Sequence, residues 1–239
     1  LGHNSLYAST TGTQNTSVGS SALQANTTAN YNTAVGASAL VVNTTGAQNT
    51  AVGSFSLQSN TTGSPNTALG YDALGDNTTA AGNTAVGWAS LSKTTTGYAN
   101  TAVGQSSLTA NTTGFSNVAI GHNTLDASTT GDNNTALGKS ALSSNTTADS
   151  NTAVGTSALF TNTTGAFNAA MGNDALRTNS TGGSNIAIGV SALYANTTAS
   201  NNVAVGTNAM LGTTTGASNT AVGSSALRTN TTGTENTAF

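Results

Sequence analysis

The chain has 239 residues, of which only 5% are charged, and its formal net charge is -3. Such a surface offers no basic stripe for phosphates, which argues against a nucleic-acid partner. Cysteine is absent, which excludes disulfides and thiolate metal sites. No apolar run approaches the ~20 residues of a bilayer-spanning helix, so the composition also argues against membrane insertion.

The dominant feature of the sequence is a strict period of 17 residues. Glycine recurs at this spacing from Gly2 to Gly223, which gives fourteen copies of a unit close to N-T-A-V-G-x-S-A-L-x-x-N-T-T-G-x-x. Fixed self-similarity of this kind is typical of solenoids, in which each unit packs only on its neighbours. No break in the period marks a boundary, so the sequence predicts one continuous solenoid domain over residues 1–239.

The repeat favours strands over helices. It is rich in Asn, Gly and Thr, which are poor helix formers, and its large apolar residues do not recur at a helical spacing. We therefore predict an all-β fold, a β-solenoid of the parallel β-helix or β-roll type with fourteen 17-residue coils and uncapped ends. At the ~4.8 Å spacing of neighbouring strands, fourteen coils would extend over roughly 67 Å.

Two columns of the repeat are always large and apolar: the position before the glycine and the position four residues after it. Both are predicted to point into the solenoid, with small residues such as Ala22 between them. The predicted core residues are Val18, Leu23, Val35, Leu40, Val52 and Leu57. Their burial alone does not offset the ordering of 17 residues per coil, which favours association with a further chain.

Two polar columns are invariant in all fourteen copies: asparagine from Asn15 to Asn236 and threonine from Thr11 to Thr232. Stacked amides and hydroxyls can bond from coil to coil and satisfy the backbone of a turn. The predicted ladder residues are Asn15, Asn32, Asn49, Asn66, Asn83, Thr28, Thr45 and Thr62. The alternative interpretation of such a column is a row of ligand-binding side chains.

Almost all aromatic residues lie in variable columns and are expected to be exposed on a single chain. The candidate inter-chain contacts are Tyr71, Trp88, Tyr98, Phe115, Phe160, Phe167 and Tyr194. Packing against a neighbouring chain, stacking on sugar rings and no role at all are the three interpretations.

The sequence contains no pattern typical of an enzyme. His3 and His122 share a column but lie seven coils apart, roughly 34 Å at the strand spacing, so they cannot form one site. Asp132 and Asp149 occupy one column on adjacent coils, where two solvated acids are favoured over a calcium site. The N-T-T sequons that begin at residues such as Asn26 are expected to serve as turns. We therefore predict no enzymatic activity, no metal and no cofactor.

The repeat unit resembles the repeats of bacteriophage tail-fibre shafts and related tail-fibre-domain proteins. The sequences N-V-A-I-G at Asn117–Gly121 and N-I-A-I-G at Asn185–Gly189 also resemble the head repeats of trimeric autotransporter adhesins. This resemblance implies a trimeric fibre or head segment that is located outside the cell, on the cell surface or on a virion.

The main functional hypothesis from the sequence is a structural fibre shaft or filament. It would be a segment of a longer fibre that assembles with itself, as a homotrimer or head to tail. The alternatives are an adhesin-type module that binds a glycan or host receptor, and an ice-binding solenoid. Ice binding is disfavoured because Thr27 and Thr28 are adjacent and would point to opposite faces of a strand.

Overall fold

A computed structural model describes all 239 residues of the chain. The predicted all-β solenoid is confirmed: each 17-residue coil contributes one short parallel strand, and the rest of the coil consists of turns and bends. No helix of the structure has the length and apolar character needed to cross a membrane.

The fourteen strands recur at the repeat period. Their bounds are β1 Thr16–Val18, β2 Thr33–Val35, β3 Thr50–Val52, β4 Thr67–Leu69, β5 Thr84–Val86, β6 Thr101–Val103, β7 Val118–Ile120, β8 Thr135–Leu137, β9 Thr152–Val154, β10 Ala169–Met171, β11 Ile186–Ile188, β12 Val203–Val205, β13 Thr220–Val222 and β14 Thr237–Ala238.

Contacts group the chain into two compact units, residues 1–117 with β1 to β6 and residues 118–239 with β7 to β14. Within each unit the strands pair in parallel and in chain order. Every strand residue pairs with the residue 17 positions later; for example, Thr16 pairs with Thr33 and Val18 with Val35. The exact repeat therefore becomes an exact register, since equivalent residues stack directly on one another. The single domain over 1–239 stays a prediction.

The turn segments are also tied from coil to coil by backbone hydrogen bonds. Ser38 N–H donates to Ser20 in the preceding coil (2.9 Å), whereas Leu40 N–H donates to Ser56 in the following coil (3.0 Å). Both donors have left-handed backbone conformations, with φ of 57° at Ser38 and 51° at Leu40. These conformations are strained for residues with a side chain. The inter-coil bonds that they make are what hold them in place.

The glycine after each strand is required by both its conformation and its surroundings. Gly36 has a φ of 139°, and a Cβ added to it would meet the backbone carbonyl of Gly53 in the next coil. The same applies to equivalent glycines such as Gly19 and Gly155. This explains why the glycine column is unbroken, because a side chain there would force neighbouring coils apart.

One of the two predicted core columns is wrong. Leu23, Leu40 and Leu57 are fully buried. Val18 and Val52, however, are exposed on the outside of the strands, and Val35 is half-buried.

The physical reason is strand alternation. Each strand of this kind has only three residues, and its middle residue, such as Ala34 or Ala51, points inward. The two flanking residues must then point outward. The narrow interior takes alanine on the strand side and leucine from the turn side.

Candidate functional site

In each unit the outer face of the strands carries two rows of side chains, and we call this surface the strand face. One row is mostly threonine, from Thr16 to Thr237, and the other is the aliphatic row from Val18 to Val222. Most of the aliphatic side chains are exposed, for example 40% at Val18 and 45% at Leu137, and the others, such as Val35, are half-buried. No residue in either row is charged. The strand face is therefore an uncharged, partly apolar surface.

The first asparagine column forms a continuous ladder inside each unit. The side-chain oxygen of Asn32 accepts the backbone N–H of Asn49 (2.9 Å), and the side-chain amide of Asn32 donates to the Gly46 carbonyl (2.9 Å). The same two bonds recur one coil on, where Asn49 accepts from Asn66 and donates to Gly63. Each amide thus joins its own coil to the next, and its polar groups are used by the protein itself.

The other predicted ladder residues of this column lie in the same arrangement. The side-chain oxygens of Asn15 and Asn66 accept backbone N–H groups one coil on, and the side-chain amides of Asn15, Asn66 and Asn83 donate to carbonyls 14 residues ahead. These side-chain groups bond within the solenoid and do not point at solvent for a ligand. This geometry favours the structural ladder over a ligand-binding row.

The structure contains a second asparagine ladder that the sequence analysis does not predict. Asn26, Asn43 and Asn60 are fully buried, and the amides of Asn43 and Asn60 donate to the side-chain oxygen of the preceding coil, at 3.2 Å and 2.9 Å. The same amides donate to the carbonyl three residues ahead, Gly46 and Gly63.

The second column is not invariant, which is why it escapes prediction. It contains Ser9, Thr94, Ser128 and Thr213 in place of asparagine. These substitutes are all small hydroxyl residues, and that restriction is the signal that could have revealed a buried polar row.

The substituted positions interrupt the second ladder. Asn77 precedes Thr94 and Asn196 precedes Thr213, and the buried side-chain oxygens of Asn77 and Asn196 have no hydrogen-bond partner. The hydroxyl of Thr213 is unpaired as well. A hydroxyl is too short to replace the amide, so these interruptions leave polar atoms unsatisfied in the interior.

The predicted threonine ladder is wrong by one position. Thr28, Thr45 and Thr62 are exposed, and their hydroxyls bond to no neighbouring coil. The preceding threonines form the row instead: the hydroxyl of Thr44 donates to the carbonyl of Thr61, and that of Thr61 donates to Thr78, both at 3.1 Å.

Except for the sequon at Asn230, which is half-buried in the last coil, the N-T-T sequons are closed to glycosylation in the folded chain. Their asparagine side chains, including Asn43 and Asn60, have no exposed surface and bond inside the solenoid. A glycan on any of these amides would remove an inter-coil hydrogen bond and could not fit the interior.

The candidate aromatic residues lie on the surface, and several contact an aromatic ring in the adjacent coil. Tyr98 stacks on Phe115 with ring centroids 4.9 Å apart, and Tyr71 packs edge-on against Phe55 at 5.6 Å. Trp88 is 53% exposed and Tyr71 is 51% exposed, and the two share a column on adjacent coils. These aromatic rings therefore contact one another within the chain and still expose part of their area to solvent.

The remaining aromatic candidates lie in the unit of residues 118–239. The guanidinium of Arg177 lies between Phe160 and Tyr194, 5.5 Å and 5.9 Å from the two ring centroids, and donates to the Tyr194 hydroxyl at 3.0 Å. Its Nε also lies 3.2 Å from Asp174. The cation is therefore held by its own chain. Phe167 is exposed.

Charged side chains are few, and several of them bond to neighbouring residues. Lys93 forms an exposed ion pair with Asp76 at 3.1 Å, and this contact raises the pKa of Lys93. Burial raises the pKa of the Asp72 carboxyl above its usual value; Asp76 acts in the same direction and Lys93 against it. The carboxylate of Asp149 accepts the backbone N–H of Asp132 (2.8 Å), so it serves as a bridge between coils.

The structure contains no pocket and no cluster of three or more residues that could hold a metal ion. His3 and His122 are both exposed. The arrangement offers extended surfaces in place of a concave site. Comparison with protein-family models, curated proteins and solved structures gives no match for this chain.

Proposed function

We propose that this chain is a structural fibre segment, a rigid shaft or filament that spaces or displays other domains. The observation that carries this proposal is the bonding between coils. Within each unit, a coil joins the next through strand pairs, through turn backbone and through two buried asparagine columns. The buried amides can bond only when each coil contributes them in register, so the polar interior stabilises the stacking of coils.

The mechanism of such a shaft is mechanical. Hydrogen bonds directed along the axis resist bending and separation of coils, and buried backbone resists proteolysis. The resemblance to tail-fibre shafts and adhesin heads supports a location outside the cell, on its surface or on a virion. The same resemblance supports a homotrimer, and a head-to-tail filament is the alternative assembly.

Electron microscopy with measurement of mass per unit length tests this proposal. A mass of 23.2 kDa over 239 residues gives about 1.7 kDa per 17-residue coil. At ~4.8 Å per coil, one chain has about 3.4 kDa per nanometre. Rods with about three times this value would support a trimeric shaft, and long threads with the single value would support a filament. Compact particles, or a circular dichroism spectrum dominated by helix, would contradict a fibre.

The second candidate is a binding module for a glycan or host receptor. It is favoured by Tyr71 and Trp88, whose rings are exposed on adjacent coils and could stack on successive sugars. A glycan array tests it, with a variant that carries Tyr71→Ser and Trp88→Ser as the control. Binding that is lost in the variant would support the module, and absence of binding at high protein concentration would count against it.

A further inference from the structure

The aliphatic row of the strand face has a property that the isolated chain does not explain. Its sequence column is large and apolar in all fourteen copies, from Leu1, which precedes β1, through the thirteen residues of the row to Val222, although the row lies on the outside. The column two residues later is also largely exposed, and it varies freely: it contains His3, Trp88, Lys139 and other residue types. Fourteen internal copies thus hold an exposed position apolar while a nearby exposed position is free.

The substitutions in the threonine row also make the strand face more apolar. Threonine is replaced four times, by Val118, Ala169, Ile186 and Val203, and each replacement is apolar. Three of them fall on the consecutive strands β10 to β12, where Ile186 and Ile188 are each 40% exposed. On these strands both rows of the strand face are apolar. A contiguous exposed patch of this kind is typical of an interaction surface.

We propose that the strand face is the surface through which copies of this chain pack side by side, with the apolar patch of β10 to β12 as its centre. The inference rests on the proposed function as a fibre and names the surface that the assembly uses. A second copy fits because it presents the same uncharged rows at the same coil spacing, so apolar side chains of one chain can fill the spaces between those of the other.

The area of the strand face sets how much more surface a second copy must cover. A strip three residues wide and stacked at ~4.8 Å covers about 240 Å² over β1 to β6 and about 330 Å² over β7 to β14 in flat projection. The larger strip is about half of the ~600 Å² per partner at the lower end of stable interfaces, so neighbouring columns must add to the contact. The exposed aromatic residues in bordering columns, such as Trp88 and Tyr98, would extend the contact.

The same observations favour a protein partner over ice or a glycan. The aliphatic row is uneven, since Leu69, Met171 and Ile188 differ in length and shape from the valines that most coils carry there. A flexible protein surface can adapt to such differences by changing rotamers, whereas a crystal lattice cannot. A glycan needs hydrogen-bonding groups, which the side chains of the β10 to β12 patch do not offer.

The test is sedimentation analysis of the full chain with two matched variants. Met171→Lys with Val205→Lys adds two charges to the strand face, two coils apart. Thr164→Lys with Thr198→Lys adds the same charges at the same spacing on exposed threonines whose hydroxyls bond to nothing. We expect the parent and the threonine variant to be oligomers and the strand-face variant to dissociate at least about a hundredfold more readily, since its charges would be buried unpaired.

A third variant tests whether loss of association could result from misfolding caused by the added charges. Ile186→Thr with Ile188→Thr introduces no charge and keeps residues that favour strands, and we expect association to weaken at least about tenfold. Circular dichroism should be unchanged in all variants. If the parent is oligomeric and the strand-face variants associate equally well, the strand face is wrong while the fibre stands. If the parent is a monomer over about a hundredfold range of concentration, or inhibits ice recrystallisation as a monomer, the proposed packing is overturned.

Discussion

Restoring the interrupted asparagine ladder should stabilise the chain, and Thr94 is the best position to test this. In an intact coil the amide of Asn60 donates to Asn43 Oδ1 (2.9 Å) and to the Gly63 carbonyl (3.1 Å). At Thr94 both bonds are missing, and Asn77 Oδ1 is buried without a partner. The Thr94 hydroxyl accepts only from the amide of the following asparagine, at 3.3 Å.

An asparagine at this position would supply both missing bonds and keep the existing one through its own side-chain oxygen. A buried unpaired polar atom costs about 1–3 kcal/mol and a neutral hydrogen bond contributes about 0.5–1.5 kcal/mol. After the cost of ordering a longer side chain, we expect Thr94→Asn to raise the free energy of unfolding by about 1–3 kcal/mol. The reverse change, Asn60→Thr, should lower it by a similar amount, because it leaves Asn43 Oδ1 unpaired.

Urea unfolding followed by circular dichroism measures both effects, with Thr96→Asn on the exposed face as a control that should stay within about 0.5 kcal/mol. Stability in a repeat protein is partly local, so hydrogen exchange of the amides in the two adjoining coils should change in the same direction. If Thr94→Asn gives no gain and Asn60→Thr costs nothing, the ladder does not hold the coils together and the reasoning is refuted.

Three further predictions concern the core, the turns and the dependence on pH. Leu74→Ala should cost about 2–5 kcal/mol in urea unfolding because Leu74 is fully buried, whereas Leu69→Ala on the strand face should cost under about 1 kcal/mol; equal losses would contradict the assigned core. Gly36→Ala should lower stability by about 2 kcal/mol or more, since its Cβ would meet the next coil at a φ of 139°. Gly46→Ala should cost clearly less in the same experiment, because its column already accommodates Ala29 and Ala80, and the reverse order would contradict this reasoning. The raised pKa of Asp72 means that its ionised form is disfavoured in the folded chain, so its contribution to stability is present at low pH and lost as the pH rises through the folded-state pKa. Asp72→Asn should therefore raise the melting temperature at pH 7, and the gain should shrink toward pH 3; a gain that is independent of pH would show that the charge is not the cause.

The period of the repeat is sufficient to predict the fold, because a strict register of 17 residues is satisfied by stacking equivalent residues. Which residues of the repeat point into the interior cannot be predicted from hydrophobicity alone. Val35 and Leu40 look equivalent in the sequence, yet the first flanks an inward alanine on a three-residue strand and the second follows a turn that points it inside. The difference depends on where a short strand begins, and no single residue of the repeat marks that boundary.

Only one of the two buried asparagine columns can be predicted from the sequence, for a related reason. The column of Asn15 is invariant and predicts a structural ladder, whereas the column of Asn26 contains hydroxyl residues and predicts only turns. Invariance reflects how many bonds a side chain makes and whether a substitute can make them. At Thr94 the hydroxyl still accepts one bond, so this column tolerates replacement at a cost in stability.

The alanines that replace the turn glycine have a similar explanation. Ala29 and Ala80 lie in the column of Gly46, where the backbone φ is not positive, so an alanine needs no strained conformation. The column of Gly36 has positive φ throughout and contains no alanine. The two glycine columns therefore differ in kind: one is required by backbone conformation and the other only by limited space.

The distribution of polarity in this solenoid departs in two places from that of an independent globular chain. Two amide columns such as those of Asn32 and Asn43 lie inside, and a full row of aliphatic residues lies outside. The buried amides stabilise the stack along its axis but do nothing to remove apolar surface from water. That part of the hydrophobic stabilisation is available only when another surface covers the strand face. If copies of the chain pack through the strand face as proposed, the stability of the folded chain should increase with protein concentration.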